Sequence, residues 1–187
     1  MPSEQDLALD RKNALLLVVD VQERLFKAMP QDGQAPLLKN LDILVKAART
    51  LKLPVVTSEQ YPKGLGPTVP SLRENLPAAP LEKLEFSCAG NPAIAEAIRS
   101  SGRRQIVVAG METHVCVYQT VRDLVGRGFS VFVPADAVIS RTPDNKASGL
   151  ALCQRAGAVL TSTEASVFDL LGAAGTPEFK EISPLLK

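Results

Sequence analysis

The chain has 187 residues, with 21 Lys plus Arg against 20 Asp plus Glu and a formal net charge of +1 at pH 7. That length suits one domain spanning residues 1–187 with a substantial core, and the balanced charge excludes the basic field that nucleic acid or an anionic membrane needs, leaving a small molecule or another protein as partner. No apolar run approaches the roughly 18 residues of a membrane span.

Residues 1–13, MPSEQDLALDRKN, form a polar extension whose acidic residues suit neither a secretory signal nor an acid-poor transit peptide. The run LLLVV at 15–19 reads as a buried strand ending at Asp20, and DVQERLF follows it where a dinucleotide site would need its glycine-rich turn. Residues 36–51, PLLKNLDILVKAARTL, have helical period with Leu37, Leu38, Leu41, Leu44 and Val45 on one face. VVTS at 55–58 is a second strand. Residues 59–80 are rich in Pro and Gly and read as a functional loop. Lys83 sits in LEKLEFSC, in what reads as a short strand of its own. Helix PAIAEAIRS, strand IVVAG at 106–110, helix VCVYQTVRDLVGRG, strand VFVP at 131–134, helix PDNKASGLALCQRAG and strand AVLTS at 158–162 complete the alternation. Strand and helix in this order predict an α/β fold in three layers, an open parallel sheet with helices on both faces. Ligands of such sheets bind beyond the carboxyl ends of the strands.

Asp20, Lys83 and Cys116 all fall at that edge. A thiol becomes a nucleophile through a base and a positive environment, which Asp20, Lys83 and the start of a helix would supply. Each residue also has a plainer role: a strand-ending Asp caps helices, a lone Lys is solvated, and a Cys in an apolar helix packs in the core. Glu59 and Tyr61 would face the cleft if the second strand ends at 58, with a plain surface position as the equal alternative for each, and Met111 would line it just before the cysteine turn. His114 and Cys116, two apart, point away from each other on a helix, so His114 reads as a rim or interface residue. Cys88 and Cys153 read as structural. The three cysteines lack a C-x-x-C pair and only one histidine is present, so neither a disulfide framework, a metal site nor a cofactor is expected, and a reducing cytoplasm is the expected compartment.

The order Asp in LLLVVDVQE, Lys before FS in EKLEFSC, and Cys in VVAGMETHVCV resembles the isochorismatase-like cysteine hydrolases. TSEQYPKGLGPTVPSL, AGMETHVCVYQTVRDLVGRGFSVFVPADAVISR and PEFKEI look closest to the isochorismatase domain-containing subgroup. The resemblance implies a sheet of six parallel strands, a triad of Asp20, Lys83 and Cys116, and hydrolysis of an amide or related C–N bond through a thioester. It also implies a homo-oligomer. It further implies a cis bond between Met111 and Glu112, with the Glu112 and Cys116 backbone N–H groups as an oxyanion hole. The sequence departs from the family's pattern in two places. Family nicotinamidases bind a metal through an Asp and histidines in the loop after the second strand, and SEQYPKG has no histidine there. Ala89 stands where many members carry an aromatic residue. A catalytically idle member of the fold acting as a scaffold is the alternative from another class.

Overall fold

The structure is a computed structural model and describes residues 7–187. Seven strands form the sheet: β1 (Ala14–Val19), β2 (Val55–Gln60), β3 (Leu81–Lys83), β4 (Gln105–Met111), β5 (Ser130–Pro134), β6 (Val138–Ile139) and β7 (Val159–Thr161). Their order is β3-β2-β1-β4-β5-β7, with β6 paired to the end of β4 and every pairing parallel. The strand missed by sequence patterning is β6, whose two residues are too few to show a period.

The helices are α1 (Glu23–Lys27), α2 (Gln31–Thr50), α3 (Pro62–Leu65), α4 (Pro70–Arg73), α5 (Pro92–Ser100), α6 (Tyr118–Gly126), α7 (Pro143–Arg155), α8 (Thr163–Leu171) and α9 (Pro177–Ile182). Because side chains alternate along a strand, β1 sends Leu16 and Val18 to one face and Leu15, Leu17 and Val19 to the other. α2, α8 and α9 cover the first face through Leu37, Leu41, Leu44, Val167, Leu170 and Ile182. α5, α6 and α7 cover the second through Ile94, Ile98, Val121, Leu124 and Cys153.

Two sequence expectations change. α2 begins at Gln31, five residues before the expected start, and accommodates Pro36 inside its early turns. Of the polar extension, residues 1–6 lie outside the described region, but Leu9 is buried in the α2-side core. The Asp10 backbone N–H donates to Gln105 Oε1 at 2.7 Å, tying this segment to β4.

Gly110 in β4 has φ 120°, and a Cβ on it would lie 2.1 Å from the Val19 carbonyl oxygen. Only glycine lets β4 approach β1 this closely where both strands deliver their site residues.

Candidate active site

Asp20 leaves β1 with a left-handed backbone, φ 52°, a conformation that Asp tolerates better than most residues. Strand alternation stops there, and the carboxylate lies on the Ser58 side. Its Oδ1 accepts from the Ser58 hydroxyl at 2.7 Å. Its Oδ2 accepts from Lys83 Nζ at 2.6 Å, with both side chains fully buried. The ammonium also donates to Gln60 Oε1 at 2.7 Å and to the Glu85 and Phe86 carbonyls at 3.2 Å each. The chain at 84–87 thus wraps the cation with carbonyl oxygens and leaves Leu84 and Phe86 facing solvent. Burial works against the ammonium, but the Asp20 charge, together with the Cys88 and Cys116 sulfurs and the Asp20 hydrogen bond, holds Lys83 above the ordinary lysine value.

Cys116 lies in a π-helical turn, Thr113–Val117, that leads into α6. It is 6% exposed, whereas Cys88 and Cys153 are fully buried. The Asp20 carboxylate lies close enough for its charge to act on the thiol. Sequence reasoning expected the helix start and the cation to favour a thiolate. The balance runs the other way: burial, then the negative charge of Asp20, push the thiol well above its ordinary value despite Lys83. The resting sulfur is therefore a thiol beside a carboxylate.

The Met111–Glu112 peptide is cis. The Glu112 side chain turns away from the sulfur, and its Oε2 accepts from the Arg141 backbone N–H and from Arg141 Nε, each at 3.0 Å.

Three other expected site residues have different surroundings. Met111 is fully buried in the α2-side core, in register with Ile139 of β6, and has no exposure from which to meet a ligand. Glu59 is inside β2, which runs on to Gln60, and its carboxylate accepts from Thr68 N at 2.6 Å and Thr68 Oγ1 at 2.7 Å. Both bonds fall on Oε1 and pin the 61–69 loop to β2. Tyr61 stays near the site, on its outer rim: it is 51% exposed and borders a shallow cavity of about 410 Å³ shared with Glu82, Lys83, Leu84 and Asn91. His114 Nδ1 lies 3.0 Å from Ser140 Oγ, which gives it a partner other than Cys116.

Sequence reasoning missed Ser58 and Gln60, and it placed Cys88 outside the site. Cys88 packs against it instead: its thiol donates to Ser58 Oγ at 3.3 Å, and burial pushes it up to about 11. The available signal was the run of polar residues, Thr57 to Gln60, that ends a strand begun by two valines. Among the described residues, no group of three His, Cys, Asp or Glu side chains is arranged to hold a metal ion. Among them too, no helix is long and apolar enough to cross a membrane.

Comparison with known proteins adds to this geometry. The isochorismatase domain model matches residues 14–165. A secreted isochorismatase effector of Phytophthora sojae is 38% identical over 94% of this chain and 85% of its own length. Isochorismatase domain-containing protein 2 of Bos taurus is 36% identical over 94% of this chain and 83% of its own. Among solved structures, the MAR1 ribonuclease of Caenorhabditis elegans superposes with a TM-score of 0.88 at 35% identity, covering 96% of this chain and 92% of that one. YcaC from Pseudomonas aeruginosa, solved with hexane-2,5-diol and covalent acrylamide, superposes with a TM-score of 0.90 at 26% identity, covering 99% and 93%. By the domain match and by these identities, the chain belongs to the isochorismatase family.

Proposed function

We propose that this chain is a cysteine hydrolase that cleaves an amide or related C–N bond of a small molecule. The observation that carries the proposal is the buried Asp20 carboxylate, which binds the Lys83 ammonium and whose charge acts on the Cys116 thiol. In the first half-reaction Asp20 takes the thiol proton as sulfur bonds to the carbonyl carbon. The tetrahedral anion then collapses, the C–N bond breaks, and the proton passes from Asp20 to the departing nitrogen. In the second half-reaction water attacks the thioester, Asp20 takes its proton, and the acid leaves as the C–S bond breaks and sulfur is reprotonated. Lys83 keeps the carboxylate in place and offsets the negative charge. Backbone N–H groups of Glu112 and Cys116 serve as donors to the developing oxyanion.

The acrylamide bound covalently in the Pseudomonas YcaC supports a reactive nucleophile in this fold, since acrylamide is captured at its vinyl carbon with its C–N bond intact. The Caenorhabditis relative carries the name ribonuclease, and RNA therefore belongs in the substrate panel. Here the net charge of +1 and the engagement of the only histidine with Ser140 favour a small neutral substrate over a polyanion. A dimer or larger assembly is part of the proposal, because Leu84, Phe86 and Phe168 are large exposed apolar side chains. So is a reducing compartment, since all three cysteines are free.

The test is turnover of a panel of amides, carbamoyl compounds, ureides and RNA by the wild type and by Cys116→Ala. Release of acid and amine by the wild type alone supports the proposal. No turnover of any C–N substrate favours the scaffold alternative, and RNA cleavage that survives Cys116→Ala assigns a different chemistry.

A further inference from the structure

β2 ends inside the site. Its side chains alternate, so Glu59 points to Thr68 while Ser58 and Gln60 reach Asp20 and Lys83. One strand therefore supplies one partner to each half of the ion pair. Ser58 is fully buried and has a single hydroxyl proton, which it donates to Asp20 Oδ1. The Cys88 thiol donates to the Ser58 oxygen, so an acceptor site of that oxygen is filled and its proton stays directed at the carboxylate.

Gln60 is fixed as firmly. Its Nε2 donates to the Leu84 carbonyl at 2.8 Å, which leaves Oε1 for the Lys83 ammonium. Its backbone is clamped from both sides by Gln22, whose Oε1 accepts from Gln60 N at 2.7 Å and whose Nε2 donates to the Gln60 carbonyl at 3.0 Å. A carboxylate held by one donor can pivot about its terminal torsion, which has a broad profile. Held at both oxygens, by Ser58 and Lys83, it has one plane.

We propose that Ser58 and Gln60 are positioning residues that hold the Asp20–Lys83 pair in the one rotation that turns the carboxylate toward the Cys116 thiol. The inference rests on Asp20 acting as the base for Cys116, and its test separates the two.

The readout is alkylation of Cys116 in the full chain by acrylamide, followed by intact mass, with the saturating rate resolved from the half-saturating concentration. Ser58→Ala is expected to lower the saturating rate roughly tenfold while moving the half-saturating concentration less than about twofold. Gln60→Met is expected to lower it about threefold in the same way. The decisive measurement is the cycle with Asp20→Asn. Adding Ser58→Ala to that variant is expected to cost nothing further, because residues acting through one another are not additive. A folded Ser58→Ala that reacts at the wild-type rate overturns the inference, and so does a full additive loss in the double variant. If Ser58→Ala fails to fold by circular dichroism, the cycle of Gln60→Met with Lys83→Met decides by the same criterion. Slow Asp20→Asn with fast Ser58→Ala removes only this inference. Wild-type alkylation by Asp20→Asn removes the base role as well.

Discussion

The two faces of the sheet are equally closed to water but differ in what they bury. On the α2 side, β1, β4 and β5 contribute Leu16, Val18, Val107, Ala109 and Phe132 to a layer that is mostly apolar, with Gln105 and Thr57 as buried polar exceptions. On the α6 side, Leu15, Leu17, Ile106 and Val108 are equally apolar along the strands, but at the carboxyl ends the layer passes into Asp20, Ser58, Lys83, Cys88 and Cys116. The difference arises where strand alternation is interrupted. Asp20 has a left-handed backbone, and the chain after Met111 turns into the π-helical segment. A buried ion pair is costly unless its hydrogen bonds are filled, and only this end of this face supplies enough donors and acceptors to fill them. The lesson is that burial alone does not mark the site; burial with a closed polar network does.

The largest expected contrast between the faces is in turnover. Cys116→Ala should lower hydrolysis of any C–N substrate that the panel identifies by about 10⁴-fold or more, as loss of a covalent nucleophile does elsewhere, with little change in melting temperature. Steady-state kinetics with a thermal melt check it. Retained turnover would place the chemistry away from the α6 face.

Next in size is the close approach that brings β1 and β4 together. Gly110→Ala puts a Cβ onto the Val19 backbone, where nothing flexible can give way. It is expected to cost about 4 kcal/mol or more by urea denaturation, among the largest single-residue effects. A loss under about 1 kcal/mol would mean that the strands separate easily and the site is not held by their register.

Lys83→Met and Leu41→Ala form a matched pair across the sheet. Removing the cation leaves a buried carboxylate unpaired, at about 3–5 kcal/mol. Truncating Leu41, fully buried on the α2 side, is expected to cost about 2–5 kcal/mol through the cavity it leaves. Both should therefore lower the urea midpoint. Only Lys83→Met should also slow Cys116 alkylation, and an equal slowing by Leu41→Ala would erase the distinction between the faces.

The smallest expected effect is alkaline. Burial raises Cys88 from 9.0 to about 11 and Cys153 from 9.0 to about 12. Between those values the folded chain holds thiol protons that the unfolded chain has released. Stability from these groups is thus complete below pH 9.0 and falls as pH rises toward 11, by up to about 1.4 kcal/mol per pH unit for each group. Urea midpoints measured from pH 8 to 11 should fall, and less steeply for Cys153→Ala, which removes a thiol of the α6 face remote from the carboxylate. The same slope in both proteins would remove Cys153 from the account.

Much of this was legible in the residues. The short β-branched and aliphatic runs at 15–19, 55–58, 106–110, 131–134 and 158–162 announce strands, and the helices between them require parallel crossovers. Asp20, Lys83 and Cys116 stood out because each is a chemically capable residue at the end of such an element. The Glu59–Thr68 contact was not legible, because β2 runs two residues past the expected end and Thr68 lies in a loop without periodicity. Met111 was misjudged because its burial depends on β6, which is too short to announce itself.

By itself, the sequence determined the α/β alternation, the parallel sheet and the edge at which chemistry could occur, because these follow from local periodicity and chain order. Tertiary structure alone decided which polar groups meet. Ser58 lies 38 residues from Asp20, and Gln60 lies 23 from Lys83. No local pattern encodes such pairings. They arise when neighbouring parallel strands set their register, and the same packing that excludes water keeps Cys116 a thiol.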